Sequence, residues 1–495
     1  MPFSDLPLEL LPEILSHLSP RPQFLASACL VNSTINGFAS PLLYSRVAIF
    51  PWHKRSKAKV VSLFTTFSTY PHLANHVRRL EIRDFPKSAS SDGAWEDLVL
   101  RGLANCTELR ACTWTRDGAL TTDILRVLAR CESLRELEVN GRSSGRYDPR
   151  VLPDMRRLSR ISLIMPSLDV VRQLDVWMQR TGQTLSSLTL ICKMSPLVTD
   201  DILQSLAPNL RNLEQLSLTG CAAVTDLGVH ALLAANVVGI RSLSLEGFHQ
   251  RRFDMVSFTA RCAQTPHALA SLRSFTLSLH STAWLSDILA LLSASPDLEQ
   301  IQLYGAYGFA DIRADSKSSM QVDAFWDALL ATHAQRLTRV SVHRMPISLR
   351  AIREVCARAR RLRQLFVVVE MRDLDAFVDC LAPCAVLEEV HVNFPTNNAP
   401  RAATTDPDSS SASDANSDTE EDASAPTAFL TLPRATALVR RCPSSIQLFG
   451  ANTRVWSVGR VLSADADADG GTRVERVLGA YERAGVPEQF LVVRT

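Results

Sequence analysis

Twelve times between Val77 and Val392 the chain places three apolar residues in one spacing: the second follows the first by three positions, and the third follows the second by two. The triplets are Val77-Leu80-Ile82, Leu109-Cys112-Trp114, Leu134-Leu137-Val139, Leu158-Ile161-Leu163, Leu185-Leu188-Leu190 and Leu213-Leu216-Leu218. Ile240-Leu243-Leu245, Leu272-Phe275-Leu277, Leu298-Ile301-Leu303, Leu337-Val340-Val342, Leu362-Leu365-Val367 and Leu387-Val390-Val392 complete them. The first and last lie 310 residues apart over eleven steps, so one unit takes about 28 residues. Leu213–Gly228, LEQLSLTGCAAVTDLG, shows the anatomy of a unit. An alternating run of strand period meets a Gly-Cys turn, and Val224-Thr225-Asp226 then opens a segment of helical period. One such unit cannot bury its own apolar side, so the pattern dictates a stack of neighbours.

This is the pattern of leucine-rich repeats. Leu218-x-x-Cys221-x-x-Val224-Thr225-Asp226-x-Gly228 resembles their cysteine-containing subtype. The expected fold is an α/β solenoid, a horseshoe with parallel strands on the concave face and helices on the convex face. Thr122-Asp123, Thr199-Asp200 and Ser286-Asp287 precede apolar helical segments and are expected to start them. Length alone would divide 495 residues into about three globular domains. A solenoid grows along one axis instead, which gives residues 77–395 to about twelve repeats.

Residues 1–50 form a separate unit. Leu10, Ile14 and Leu18 space one stripe of a short amphipathic helix, with Leu11 and Leu15 on the adjoining stripe. Pro20 and Pro22 end it; a second helix carries Phe24, Leu25 and Ala28, and a third Ile35 and Phe38. Leu6-Pro7-x-Glu9, Pro12-Glu13-Ile14-Leu15-x-x-Leu18, Cys29-Leu30-Val31-Asn32 and Ser40-Pro41-Leu42-Leu43-Tyr44 follow in the order of an F-box, which this segment resembles. Asn32-Ser33-Thr34 replaces that family's usual basic or aromatic pair after the central Cys-Leu-Val. The resemblance implies an all-helical bundle that docks a Skp-type adaptor through Leu6, Pro7, Leu10, Ile14, Leu15, Leu30 and Val31. The alternative is a plain helical cap over the first repeat. Residues 51–76, with the basic run His53-Lys54-Arg55-Ser56-Lys57, join this unit to the array as a linker helix region.

Residues 396–427 interrupt the ladder. Asp406, Asp408, Asp414, Asp418, Glu420, Glu421 and Asp422 lie among Ser, Thr, Ala and Pro, a composition expected to be disordered. Ser417 and Thr419, closely followed by carboxylates, are candidate targets of an acidophilic kinase. One hypothesis is that the acidic segment covers basic concave residues and competes with a partner; unchanged partner affinity after deleting 402–424 would refute it. Residues 428–495 are expected to give a degenerate last repeat and a cap, with a helix over Ala435–Arg441 and strands over Ser445–Phe449, Val455–Val458 and Gln489–Val493.

No enzyme emerges from these residues. Gly141-Arg142-Ser143-Ser144-Gly145 matches Gly-x-Ser-x-Gly, but loop residues follow where a nucleophile elbow needs a helix. Asp465, Asp467 and Asp469 lack the closing acidic residue of a calcium loop, and neither cofactor nor metal is implied. The net charge of +2 makes no case for nucleic acid or an anionic membrane. Eleven scattered cysteines, with Cys106, Cys131 and Cys384 at one repeat phase, read as small packing residues of a reduced intracellular chain, cytoplasmic or nuclear.

Recognition is the expected work. The residues between the ladder apolars face the concave surface: Gln215, Ser217 and Thr219, then Ser242, Ser244 and Glu246, are small and bland. Further on, Tyr304, Arg339, His343, Phe366 and His391, with Tyr307 and Phe309 of the longest connection, are the expected anchors for a protein substrate. F-box and repeats together resemble the substrate receptors of SCF-type cullin–RING ubiquitin ligases. That resemblance implies a non-catalytic subunit; the alternative is a repeat scaffold without ligase output.

Overall fold

A computed structural model describes residues 7–18, 22–86, 93–249, 251–306, 316–345, 347–395, 430–464 and 472–481. Its spine is a single sheet whose strands neighbour one another in strict chain order. They are β1 (Arg46–Ile49), β2 (Arg79–Ile82), β3 (Ala111–Trp114), β4 (Glu136–Asn140), β5 (Arg160–Ile164), β6 (Ser187–Thr199), β7 (Gln215–Ala223) and β8 (Ser242–Glu246). The series continues with β9 (Ser274–Leu279), β10 (Gln300–Gly305), β11 (Arg339–His343), β12 (Gln364–Val368), β13 (Glu389–Asn393), β14 (Leu448–Ala451), β15 (Arg454–Ala464) and β16 (Thr472–Ala480). Pairing is parallel from β1 to β14; β15 and β16 then turn back as antiparallel strands. The twelve ladder triplets each supply one strand, β2 to β13, of a leucine-rich-repeat solenoid.

The register explains the stack. Val47, Leu80, Cys112, Leu137, Ile161, Leu188 and Leu216 are direct partners in one row. The row runs on through Leu243, Phe275, Ile301, Val340, Leu365, Val390 and Phe449. From Leu80 onward every member is buried, packed with helix residues such as Ile124, Leu125 and Leu128. Each step adds a strand about 4.8 Å further along, so one apolar row becomes a continuous core from Ile49 to Ala451.

Polar contacts stitch consecutive repeats. Asp200 Oδ1 accepts from the backbone N–H groups of Thr225 (2.8 Å) and Gly228 (3.2 Å), and Oδ2 from the Thr225 hydroxyl (2.6 Å). A Cβ on Gly228 would lie 2.3 Å from Asp200 Oδ1, which is why the Val-Thr-Asp-x-Gly signature ends in glycine. Thr121, one residue before the expected start, caps the helix Thr122–Arg130. Ser286-Asp287 lies inside the helix Trp284–Leu292 rather than before it, because the chain turns earlier, at Ser281. All eleven cysteines are free thiols; of the three at one repeat phase, Cys106 and Cys384 are buried and Cys131 is half-buried.

At the N-terminus, α1 (Leu11–Ser16), α2 (Pro22–Cys29) and α3 (Ser33–Ser45) surround a small core of their own: Leu15, Leu25, Ile35 and Ala39. Asn32 caps α3 by accepting from Ile35 N at 2.8 Å. α3 runs through Pro41 into β1, a strand unannounced by the ladder that starts the sheet within residues 1–50. α4 (Ser56–Thr69) sends Val60, Phe64 and Phe67 into the main core. At the other end Leu432–Arg441 is helical. The acidic stretch 396–427, with Ser417 and Thr419, and the strand expected at Gln489–Val493 lie outside the described residues.

Candidate interaction surfaces

The helical unit at residues 7–45 has more apolar side chains than its core can hold. Leu11 and Leu15 are one turn apart and turn inward, whereas Leu10 and Ile14, also one turn apart, face solvent. Leu30 (88 % exposed) and Val31 (65 %) follow on the turn after α2, with Leu8 and Phe24 also exposed. Of the expected docking residues, Pro7, Leu10, Ile14, Leu30 and Val31 are therefore at the surface. Leu15 is a correction: it is 4 % exposed and holds α1 against α2 and α3. Leu6 lies outside the described residues. Leu8 and Phe24 were not anticipated, although Leu8 stands between Pro7 and Leu10 in the same apolar run.

The face of the sheet turned away from the helices changes character along the array. At its start it is a lattice of ion pairs. Arg46 Nε donates to Glu81 (2.9 Å), and Arg79 reaches across β3 to Glu136 (2.7 Å). Arg83 donates through both terminal nitrogens to Glu138 (3.2 and 3.1 Å). Small side chains on β3, Ala111 and Thr113, leave room for arms from β2 to meet carboxylates on β4. In mid-array Ser217, Thr219, Ser242 and Ser244 are half-buried, and Gln215 is exposed.

The C-terminal third overturns the expectation of exposed anchors. Tyr304, Arg339, His343, Phe366 and His391 are all buried, each at most 6 % exposed. Their strands bring them shoulder to shoulder, with Tyr304 opposite His343, Ser341 opposite Phe366, and Phe366 opposite His391. Side chains of this size, at strand spacing, cover one another. Tyr304 and His343 stack at 4.8 Å, and the Arg339 guanidinium sits 5.0 Å from the Phe366 ring centre. With its amide oxygen facing that guanidinium, Gln302 accepts from Arg339 at 2.7 and 2.9 Å and donates to the Tyr304 hydroxyl at 3.0 Å. Ser341 Oγ lies 2.6 Å from His343 Nε2, and His391 Nε2 lies 3.0 Å from the Asn452 carbonyl.

Burial sets the charge of this layer. It pushes His343 down to about 3, helped by His391, Arg339 and Arg344. It pushes His391 down to about 4, against the opposing hydrogen bonds to Asn452 and Asn393. Both imidazoles are neutral at physiological pH. Tyr307 and Phe309 lie outside the described residues.

A hydroxyl and an imidazole do meet, at Ser341 and His343, with Asn393 Nδ2 3.4 Å from the other ring nitrogen, but Ser341 and His343 are both buried, out of reach of a substrate. Ser143 is buried, with its hydroxyl 2.9 Å from that of Ser167, in a segment that is loop on both sides. Among the described residues no group of three or more His, Cys, Asp or Glu side chains is placed to hold a metal, and no helix is long and apolar enough to cross a membrane.

The fold and these surfaces define the class: a leucine-rich-repeat solenoid with a small helical unit at its N-terminal end. No protein-family model and no curated protein matches the chain. Among solved structures it is similar to a chain in the crystal structure of the Rad7 and Elc1 complex in yeast, at 14% identity and a TM-score of 0.41, covering 81% of this chain and 88% of that one. It is also similar to the leucine-rich repeat-containing protein LegL7 from Legionella pneumophila (13% identity, TM-score 0.32, 58% and 83% covered). A third is an internalin, inlF, from Listeria monocytogenes (11% identity, TM-score 0.29, 70% and 89% covered).

Proposed function

We propose that this chain is the substrate-recognition subunit of an SCF-type E3 ubiquitin ligase. In this reading residues 7–45 act as an F-box that docks a Skp-type adaptor, and through it a cullin–RING ligase, while the repeats hold a protein substrate. The observation that supports it is the exposed apolar set of the helical unit: Pro7, Leu8, Leu10, Ile14, Leu30 and Val31. A helical cap needs only its inward stripe. Leaving the most exposed of them, Leu30, in water forgoes about 1.5–3 kcal/mol that full burial by a partner would return, and the half-covered Leu10 and Ile14 forgo correspondingly less.

The subunit makes and breaks no bond itself; it raises the effective concentration of substrate near a ubiquitin-charged enzyme. Substrate contact falls to exposed side chains of the repeats, over a C-terminal third stiffened by its buried aromatic and imidazole layer. Tyr307 and Phe309 remain candidates for that contact, and Ser417 and Thr419 for its regulation.

The test is capture of the recombinant adaptor by the full chain. Leu10→Asp with Ile14→Asp, and separately Leu30→Asp, are expected to abolish capture with circular dichroism and melting temperature unchanged. Undiminished capture by both variants would overturn the reading. Reconstituted ubiquitin transfer to a trapped substrate then separates a ligase receptor from a scaffold that binds the adaptor without turnover.

A further inference from the structure

The connection between β1 and α4 forms a corner that the adaptor reading does not use. Trp52 is 57 % exposed, yet its ring is fixed, stacked at 4.6 Å and 11° on the buried ring of Phe50. Phe50 is itself held edge-on by His53 at 5.3 Å and by the Arg83 guanidinium at 6.0 Å. Around this platform Lys54, Arg55, Lys57 and Lys59 are all exposed, and among the described residues none of the four has a carboxylate partner. The carboxylate that this segment does hold, Asp84, is buried, accepts from the Ser56 hydroxyl at 2.5 Å and lies 3.9 Å from Arg116.

Folding does not call for these charges. They cluster at the start of α4, where the helix dipole disfavours cations, and the first turn has no acidic residue to offset them. Arg55, the residue before the helix, holds a left-handed backbone (φ 55°) and makes no side-chain cap, so glycine would serve the turn better.

We propose that Trp52, Lys54, Arg55, Lys57 and Lys59 form a docking surface for an acidic, extended segment of a partner protein. The four cations lie within six residues, Lys54 and Arg55 in the turn before α4 and Lys57 and Lys59 in its first turn, a stretch on the order of 10 Å over which an extended strand presents about three side chains. A nucleic acid would need a basic track leading onward. The adjoining sheet face is instead neutralised pair by pair, Arg46 with Glu81 and Arg83 with Glu138. An anionic membrane would need a broad apolar face, and Trp52 is the only large exposed apolar residue in 50–59.

The test uses the full chain and a fluorescein-labelled twelve-residue peptide of alternating Glu and Ser with one central Tyr, read by fluorescence anisotropy at two salt concentrations. Binding should weaken with salt. Combining Lys54→Glu, Lys57→Glu and Lys59→Glu should weaken it about tenfold or more and flatten the salt dependence. Trp52→Ala should weaken it severalfold. Arg55→Gly should weaken it while holding or raising the melting temperature, which a merely structural arginine would not do. Leu10→Asp should leave peptide binding intact, so failure here is distinct from failure of the adaptor reading. The proposal is overturned if the triple variant binds the peptide as before, or if Arg55→Gly melts lower. It is also overturned if a twelve-residue oligothymidylate or phosphatidylserine vesicles compete for the same side chains with higher affinity than the peptide.

Discussion

Acidification from pH 7 to pH 5 should loosen β11–β14 more than β3–β5, because His343 and His391 are buried there as neutral rings. Both groups have folded values below the ordinary 6.5, at about 3 and about 4. Their contribution is therefore complete above pH 6.5 and is lost as the pH falls toward those folded values, since the unfolded chain takes up protons that the folded chain refuses. Each pH unit below 6.5 costs about 1.4 kcal/mol per imidazole, so at pH 5 each ring disfavours the closed form by about 2 kcal/mol and the pair by about 4 kcal/mol. His333, also lowered by burial, lies in the helix before β11 and adds in the same direction. Repeats open locally, so the measurement is hydrogen exchange resolved by peptide and corrected for the intrinsic rate at each pH. Peptides from β3 to β5, a stretch without histidine, are the internal reference. The double variant His343→Gln, His391→Gln should flatten the pH dependence of β11–β14 to the part left by His333. Equal loss of protection in both regions, or an undiminished slope in the double variant, would refute the reasoning.

Two further predictions concern contacts between repeats, and two have been set out with their proposals. Gly450→Ala would place a Cβ 1.9 Å from His391 Nδ1, so the ring or its strand must shift; a loss of about 1–3 kcal/mol is expected, read by urea unfolding with exchange localised to β13 and β14. Asp200→Ala leaves the Thr225 and Gly228 N–H groups and the Thr225 hydroxyl without their acceptor, and should cost about 1–3 kcal/mol in the same assay. Loss of adaptor capture in the Leu10, Ile14 and Leu30 variants is read at unchanged melting temperature, and loss of acidic-peptide binding in the Lys54, Lys57 and Lys59 variant at a melting temperature held or raised, since Glu at the start of α4 suits the helix dipole.

How far the sequence could be read depended on whether a residue's surroundings come from its own unit or from elsewhere. The ladder was legible because its period fixes both strand and register: Leu216 sits beside Leu243 since each occupies the same phase of its repeat. β1 was not, because Arg46-Val47-Ala48-Ile49 lacks the leucine triplet and becomes a strand only by pairing with Arg79–Ile82. β16 was missed for the same reason: it becomes a strand by pairing with β15, without the repeat's signature. The alternation correctly turned Phe366 and His391 away from the helices, but their burial depends on side chains contributed by strands 25 or more residues away.

The helical unit shows what such a limit still leaves decidable. Leu10, Leu11, Ile14 and Leu15 read as two adjoining apolar stripes on one short helix, and the letters alone do not say which stripe goes inward. They do say that both cannot, since a unit of some forty residues has too small an interior to bury both along with Leu25 and Ile35. The structure settles the phase, with Leu11 and Leu15 inside, and so removes Leu15 from the proposed docking set. What survives is the surplus: Leu10 and Ile14, joined by Leu30 and Val31, kept in water at a cost that neither packing nor capping repays. That surplus, more than the ladder, is the reason to look for a partner at this end of the molecule.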